Sequence, residues 1–293
     1  MIAMVQMKLH AFLYPSSPFI TAMSITTFLI LSLFGFLEML GIHLQYSKLW
    51  NVNSRRSSIK VSSTAGMLFL YTPAFLFGLS SFGLFPDYDF RCGLVASALT
   101  VHFLKRILEV LFIHKYSGGM VLDSGIVISL SYFTSTATTI YSQHLVQGSM
   151  EPPIDLKYPG ILLFLVGISG NFCHHYLLSK LRGKDEKGYK IPRGGLFHQL
   201  ICPHYLFEIR VFIGVSFISQ TLYSFSFTIG TALYLLGRSY ATRKWYLSKF
   251  ESFPKEIKAL LKFCMPLETY ICCLLSFHNG LIHNNEFLFS HIV

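Results

Sequence analysis

The chain has 293 residues, of which 52% are hydrophobic, 16% aromatic and 13% charged, with a formal net charge of +10 and a mean hydropathy of +0.50. Soluble domains carry roughly 25% charged residues, so the composition excludes a soluble globular fold and indicates a multi-span membrane protein. The positive charge does not indicate nucleic acid, because the cations cluster in loops between apolar runs, where they set topology.

Apolar runs fall near residues 18–41, 64–84, 92–113, 120–143, 157–180, 205–220 and 222–238. A bilayer is crossed by ~20 apolar residues, so the predicted fold is an all-α membrane bundle of about seven transmembrane helices. The first run continues to about Leu40 and reads as a span, which argues against a cleaved signal peptide. The last two runs are parted only by a weak polar break near Gln220. Cation-rich and cation-poor loops alternate. Lys48, Arg55, Arg56 and Lys60 follow the first run, Arg91 is offset by Asp87 and Asp89, and Lys105, Arg106 and Lys115 follow the third. Lys157 is offset by Glu151 and Asp155, then come Arg182, Lys184, Lys187, Lys190 and Arg193, and finally Arg238 to Lys258. This alternation predicts an odd number of spans, a lumenal N-terminus and a cytosolic C-terminus.

Six cysteines lack any Cys-x-x-Cys pair, so neither a disulfide framework nor a structural zinc site is expected. His174-His175 is a single pair where a membrane di-metal centre needs several separated histidine clusters, and no metal is predicted. No Gly-x-Gly-x-x-Gly follows a strand, so a Rossmann fold is not available and any nucleotide is held by side chains inside the bundle. In the third run His102, Arg106 and Glu109 share a helical face, as do Lys105 and Glu109. In water such residues form intrahelical ion pairs; in hydrocarbon their density is costly and indicates a ligand-lining face. Glu208, opening another apolar run, carries the same cost. Gly194-Gly195 permits close backbone approach, and Trp245 reads as an interface-belt aromatic.

Three strings then fall in order: Tyr189-x-Ile191-Pro192-x-Gly194-Gly195-Leu196-Phe197, Tyr205-Leu206-x-Glu208-Ile209, and Arg238 through Trp245-Tyr246-Leu247-x-Lys249-Phe250-Glu251-x-Phe253-Pro254-Lys255 with Lys258-Ala259. Over about seventy residues they resemble the steroid 5α-reductase family, which includes polyprenol reductases and very-long-chain enoyl-CoA reductases. The string Lys105-Arg106-x-Leu108-Glu109-x-Leu111-Phe112-x-His114-Lys115 is similar to the enoyl-CoA branch, while the chain as a whole looks most like plant steroid 5α-reductase-like members.

The resemblance implies a multi-pass endoplasmic-reticulum enzyme that binds NADPH from the cytosolic side and takes an apolar lipid or steroid substrate from the membrane. Carried over by position, Asn171, Tyr189, His204, Glu208, Arg238 and Tyr246 hold the cofactor and Arg182 assists. The implied reaction is reduction of the Δ4,5 double bond of a 3-oxo-Δ4 steroid; polyprenol or enoyl-CoA reduction and non-catalytic sterol binding are the alternatives. His204 matches polyprenol reductases, where other members often have Asn. His175 stands where steroid reductases place an aspartate. Their carbonyl-binding Glu and Tyr are Tyr71 and Phe103 here, so Tyr71 is the candidate donor, with Glu109 next. Residues 1–263 read as one reductase domain, its cofactor-binding half about 157–263, and 264–293 as a divergent, poorly ordered tail.

Overall fold

The computed structural model describes residues 11–49, 59–116, 118–181, 183 and 188–260; Arg182 and the tail 264–293 lie outside the described residues. Seven long helices follow the seven apolar runs: α1 Pro18–Leu40, α2 Ser63–Leu84, α3 Phe90–Leu108, α4 Leu122–Leu145, α5 Lys157–Lys180, α6 Pro203–Ser219 and α7 Leu222–Lys249. Their ends obey local chemistry. Ser17 accepts from the Ile20 N–H ahead of Pro18, and α1 stops at Gly41 with φ 90°. Asp89 accepts from Cys92 N–H at the start of α3. The break near Gln220 is real: this residue takes φ 50°. Its buried amide accepts from Arg91 and Leu156 and donates to the Phe12 and Ile154 carbonyls. The seventh apolar run and the basic-aromatic segment after it form one helix.

Helix α3 runs on as a wider π turn, Glu109–Ile113, a feature that often marks functional positions. The purely helical expectation needs one amendment: strands β1 Lys60–Ser62 and β2 Gly119–Val121 pair antiparallel, with Val61 opposite Met120. The loop-charge reading needs another. Lys105 and Arg106 belong to helix α3, and Arg91 pairs with Glu151 and Asp155 instead of with Asp87 and Asp89.

The most extensive contacts join α5 to α6 and α1 to α7. Both crossings need glycine. A Cβ on Gly35 would lie 2.6 Å from the Leu233 oxygen, and one on Gly214 2.5 Å from the Phe164 nitrogen, so the backbones themselves touch. Phe19, Leu29, Leu33 and Phe36 of α1 face outward. Among the described residues three helices, α1, α2 and α5, are long and apolar enough to cross a membrane. The others deviate for visible reasons: α6 has 17 residues, and α4 buries Ser129, Ser135, Thr136, Thr139 and Gln143. The helices run alternately up and down. One end of the bundle gathers residues 41–49, 59–62, 114–116, 118–121 and 188–202 with residues 250–260; the other gathers residues 11–17, 85–89 and 146–156.

Candidate active site

Between α1, α2, α4, α6 and α7 lies a cavity of about 530 Å³. Leu31, Phe34, Leu70, Ile128, Phe212 and Phe227 form its apolar wall. Tyr71, Arg106, His114, His175, His204 and Glu208 form a polar wall, and Lys48, Tyr189, Arg238 and Tyr246 line it near the end bearing residues 41–49 and 188–202. Of the candidates read from the sequence, Tyr71, Tyr189, His204, Glu208, Arg238 and Tyr246 thus reach one cavity. Glu109 and Asn171 do not line it; they stand behind it.

Tyr71 sits on α2, two residues before Pro73, and is 5% exposed. Arg106 Nη2 donates to its hydroxyl oxygen at 2.6 Å, and the guanidinium lies 4.8 Å from its ring centroid. Arg106 Nη1 lies 2.8 Å from Glu109 Oε2 and 2.8 Å from His175 Nδ1. Lys105 Nζ is 2.8 Å from Glu109 Oε1 and also donates to Asn171 Oδ1. Asn171 Nδ2 donates to Glu208 Oε2 at 2.9 Å and to the His204 carbonyl at 2.8 Å, while His102 Nε2 is 3.5 Å from Glu208 Oε1. One chain of contacts therefore ties α3, α5 and α6 together behind the cavity. The intrahelical pairs of α3 form, and of His102, Lys105, Arg106 and Glu109 it is Arg106 that lines the cavity, where it donates to Tyr71. Phe103 packs beside Tyr71 and Tyr132, at centroid distances of 6.5 and 5.4 Å.

Three carboxylate and imidazole groups, Glu109, His114 and His175, bring ligand atoms within 4.8 Å of one another. Arg106 occupies that space, and its charge opposes a metal ion there. Beyond the end of α3, burial pushes His114 down to about 4, with the Arg106 guanidinium acting in the same direction.

Arg238, Glu208 and Tyr246, three of the residues the resemblance assigns to the cofactor, line the one cavity. Among the described residues no hydrogen bond or ion pair joins the three. Arg238 is 2% exposed and is held inside the protein. Its Nη1 donates to Glu38 Oε1 at 2.7 Å and to the Leu44 carbonyl at 2.9 Å, its Nη2 donates to the Tyr46 carbonyl at 2.8 Å, and its guanidinium is 4.1 Å from the Tyr46 ring centroid. Glu38 also receives Leu44 N–H at 3.1 Å and pairs with His43 at 2.7 Å. Sequence reasoning missed Glu38. A lone acid near the end of an otherwise apolar run was the available signal. It also missed Tyr46, Tyr132 and Tyr234, cavity-lining phenols that carry no local motif. Tyr246 donates to the Lys190 carbonyl at 3.4 Å, and Trp245, expected at a lipid interface, packs on Tyr189 and Tyr246 with both centroids 5.0 Å away.

This arrangement has a definite chemical capacity. A hydroxyl has one donor and two acceptor positions; with Arg106 donating to its oxygen, Tyr71 keeps its own O–H for a ligand oxygen in an apolar cavity. Such a site suits a substrate whose carbonyl gains charge during reaction. Comparison with known proteins agrees. The family described as 3-oxo-5-alpha-steroid 4-dehydrogenase matches residues 120–265. A 3-oxo-5-alpha-steroid 4-dehydrogenase 1 of Bos taurus is 31% identical over 177 residues, 59% of this chain and 68% of the relative. The chain belongs to the steroid 5α-reductase family. A very-long-chain enoyl-CoA reductase of Dictyostelium discoideum is 28% identical over 212 residues, 71% of this chain and 70% of that one. A steroid 5-alpha-reductase of Gossypium hirsutum is 40% identical over 105 residues, 36% of this chain and 41% of the relative. The protein is accordingly a membrane oxidoreductase that acts on CH–CH groups.

Proposed function

We propose that this reductase saturates the Δ4,5 double bond of a 3-oxo-Δ4 steroid to give the 5α product, using NADPH, as a seven-span protein of the endoplasmic reticulum membrane. The observation that carries the reading is the Arg106–Tyr71 pair on the wall of an apolar cavity. The described cations Lys48, Lys60, Lys115, Lys190 and Arg193 fall at one end of the bundle, which supports a cytosolic C-terminus and a lumenal N-terminus.

The residues present suit a dinucleotide. His204 lines the cavity and its Nδ1 has no partner, an unsatisfied buried group of the kind a ligand completes. Tyr189, His204, Glu208 and Tyr246 would hold the cofactor, and Asn171 would act through Glu208 and the His204 carbonyl. NADPH, when bound, would supply the hydride that the β-carbon of the enone accepts, and the α-carbon would take its proton from water. Tyr71 then has the task of donating to the C3 oxygen, where negative charge grows. Arg106 orients the phenol and strengthens its O–H as a donor, and Glu109 and His175 hold Arg106. A preorganised donor of this kind accounts for roughly 10²–10³ in rate. Phe103, Phe212 and Tyr132 keep the wall around it dry, which raises the value of that hydrogen bond.

A second reading, enoyl-CoA reduction, is favoured by the length of the match to the Dictyostelium protein; a thioester carbonyl makes the same demand on Tyr71. The test is turnover. Membranes containing the protein are given NADPH with a 3-oxo-Δ4 steroid, a polyprenol or a trans-2-enoyl-CoA, and products are resolved by mass spectrometry. Steroid reduction is expected. Reduction of the enoyl-CoA alone would overturn the substrate assignment, and sterol binding without any turnover would overturn the enzymatic reading.

A further inference from the structure

We infer that Lys48, and not Arg238, is the cation that receives a phosphate group of the bound dinucleotide. The inference rests on the NADPH-dependent reading above. Arg238 lines the cavity but is already neutralised by Glu38 and occupied by two carbonyls. Arg106 is likewise engaged by Glu109, His175 and Tyr71. Lys48 differs from both. It lines the same cavity, and among the described residues no carboxylate is ion-paired with it. Its ammonium sits 5.1 Å from the Tyr246 ring centroid. A cation held against an apolar, aromatic-lined cavity without a counter-charge is unfavourable until an anion arrives.

The backbone supports the same conclusion. Ser47 has φ 56°, a left-handed conformation that non-glycine residues seldom adopt and that persists only where surrounding structure imposes it. Here the imposing contacts are visible. Arg238 grips the Leu44 and Tyr46 carbonyls, the Tyr46 hydroxyl lies 3.0 Å from the Tyr234 hydroxyl, and Leu49 is 2% exposed. The turn Ser47–Leu49 is thus pinned on both sides of Lys48, and the strain at Ser47 goes with presenting Lys48 to the cavity. Tyr189 and Tyr246 line the same cavity as Lys48. A lysine ammonium is a compact charge suited to phosphate.

The experiment uses the full-length protein purified in detergent. Affinities for NADPH and NADH are measured by direct titration for the unaltered chain, Lys48→Met and Lys48→Arg, with thermal unfolding of each ligand-free protein alongside. Lys48→Met should weaken binding by roughly tenfold or more, the loss of one charge-assisted contact. Lys48→Arg should stay within about threefold, and the ligand-free unfolding midpoints should coincide. A loss confined to NADPH assigns the contact to the 2′-phosphate; an equal loss for both coenzymes assigns it to the pyrophosphate. NADPH binding by Lys48→Met as tight as by the unaltered chain overturns this inference and leaves the reductase reading standing. An unaltered protein that binds neither coenzyme overturns both.

Discussion

Replacing Tyr71 with Phe removes a single oxygen and tests the chemistry most directly. The ring stays packed between Phe103 and Tyr132, at 6.5 and 5.7 Å between centroids, so the shape of the cavity is kept. Two things are lost. Arg106 Nη2 loses its 2.6 Å acceptor, although Nη1 keeps Glu109 and His175, and the substrate oxygen loses its donor. Hydrogen bonds to charged groups contribute about 1.5–3 kcal/mol, so the first loss lowers stability modestly and does not unfold the protein. The second acts where charge develops and is expected to lower kcat by roughly 10²-fold, equivalent to about 2.7 kcal/mol of barrier. KM for the steroid should change little, because the contact strengthens only in the transition state. The assay is steady-state reduction in detergent or membranes, paired with NADPH deuterated at the transferred position. With Tyr71→Phe the hydride step becomes rate-limiting and the isotope effect should rise towards its full value. A variant with kcat within about threefold of the unaltered enzyme and no change in isotope effect would refute the role given to Tyr71.

Two further outcomes follow from the α1–α7 contact. Glu38→Gln keeps the side-chain shape but leaves Arg238, 2% exposed, without its counter-charge; breaking a buried pair from one side costs about 3–5 kcal/mol, so the thermal unfolding midpoint in detergent should fall clearly, and an unchanged midpoint would contradict the staple described here. Gly237→Ala places a methyl against the Gly35 carbonyl, which must move α1 off α7; a loss of about 1–3 kcal/mol is expected from such overpacking, read by the same unfolding measurement, and wild-type stability would mean that this crossing is looser than described.

Much of the architecture was legible without a structure because it depends on properties local to the chain. An apolar run of bilayer length becomes a helix whatever it packs on, so all seven helices were foreseen, although α7 runs on past the end of its apolar run at 238 to Lys249. Helical geometry alone brings Arg106 and Lys105 to Glu109, three and four residues apart, and those pairs formed. The cost of burying a carboxylate marked Glu208, and the family resemblance marked Tyr71, His204 and Tyr246; all four line one cavity. What a helix faces is a different matter. Arg238 and Glu38 are separated by 200 positions, and nothing in either neighbourhood predicts the other. They meet because glycines let α1 and α7 touch backbone to backbone. That contact withdraws Arg238 from the ligand, fixes the loop through Tyr46, and leaves Lys48 as a cavity-lining cation with no carboxylate partner among the described residues. Charge and periodicity determine which groups are costly to bury; only the packing of one helix on another decides which of them are neutralised inside the protein and which remain for a ligand.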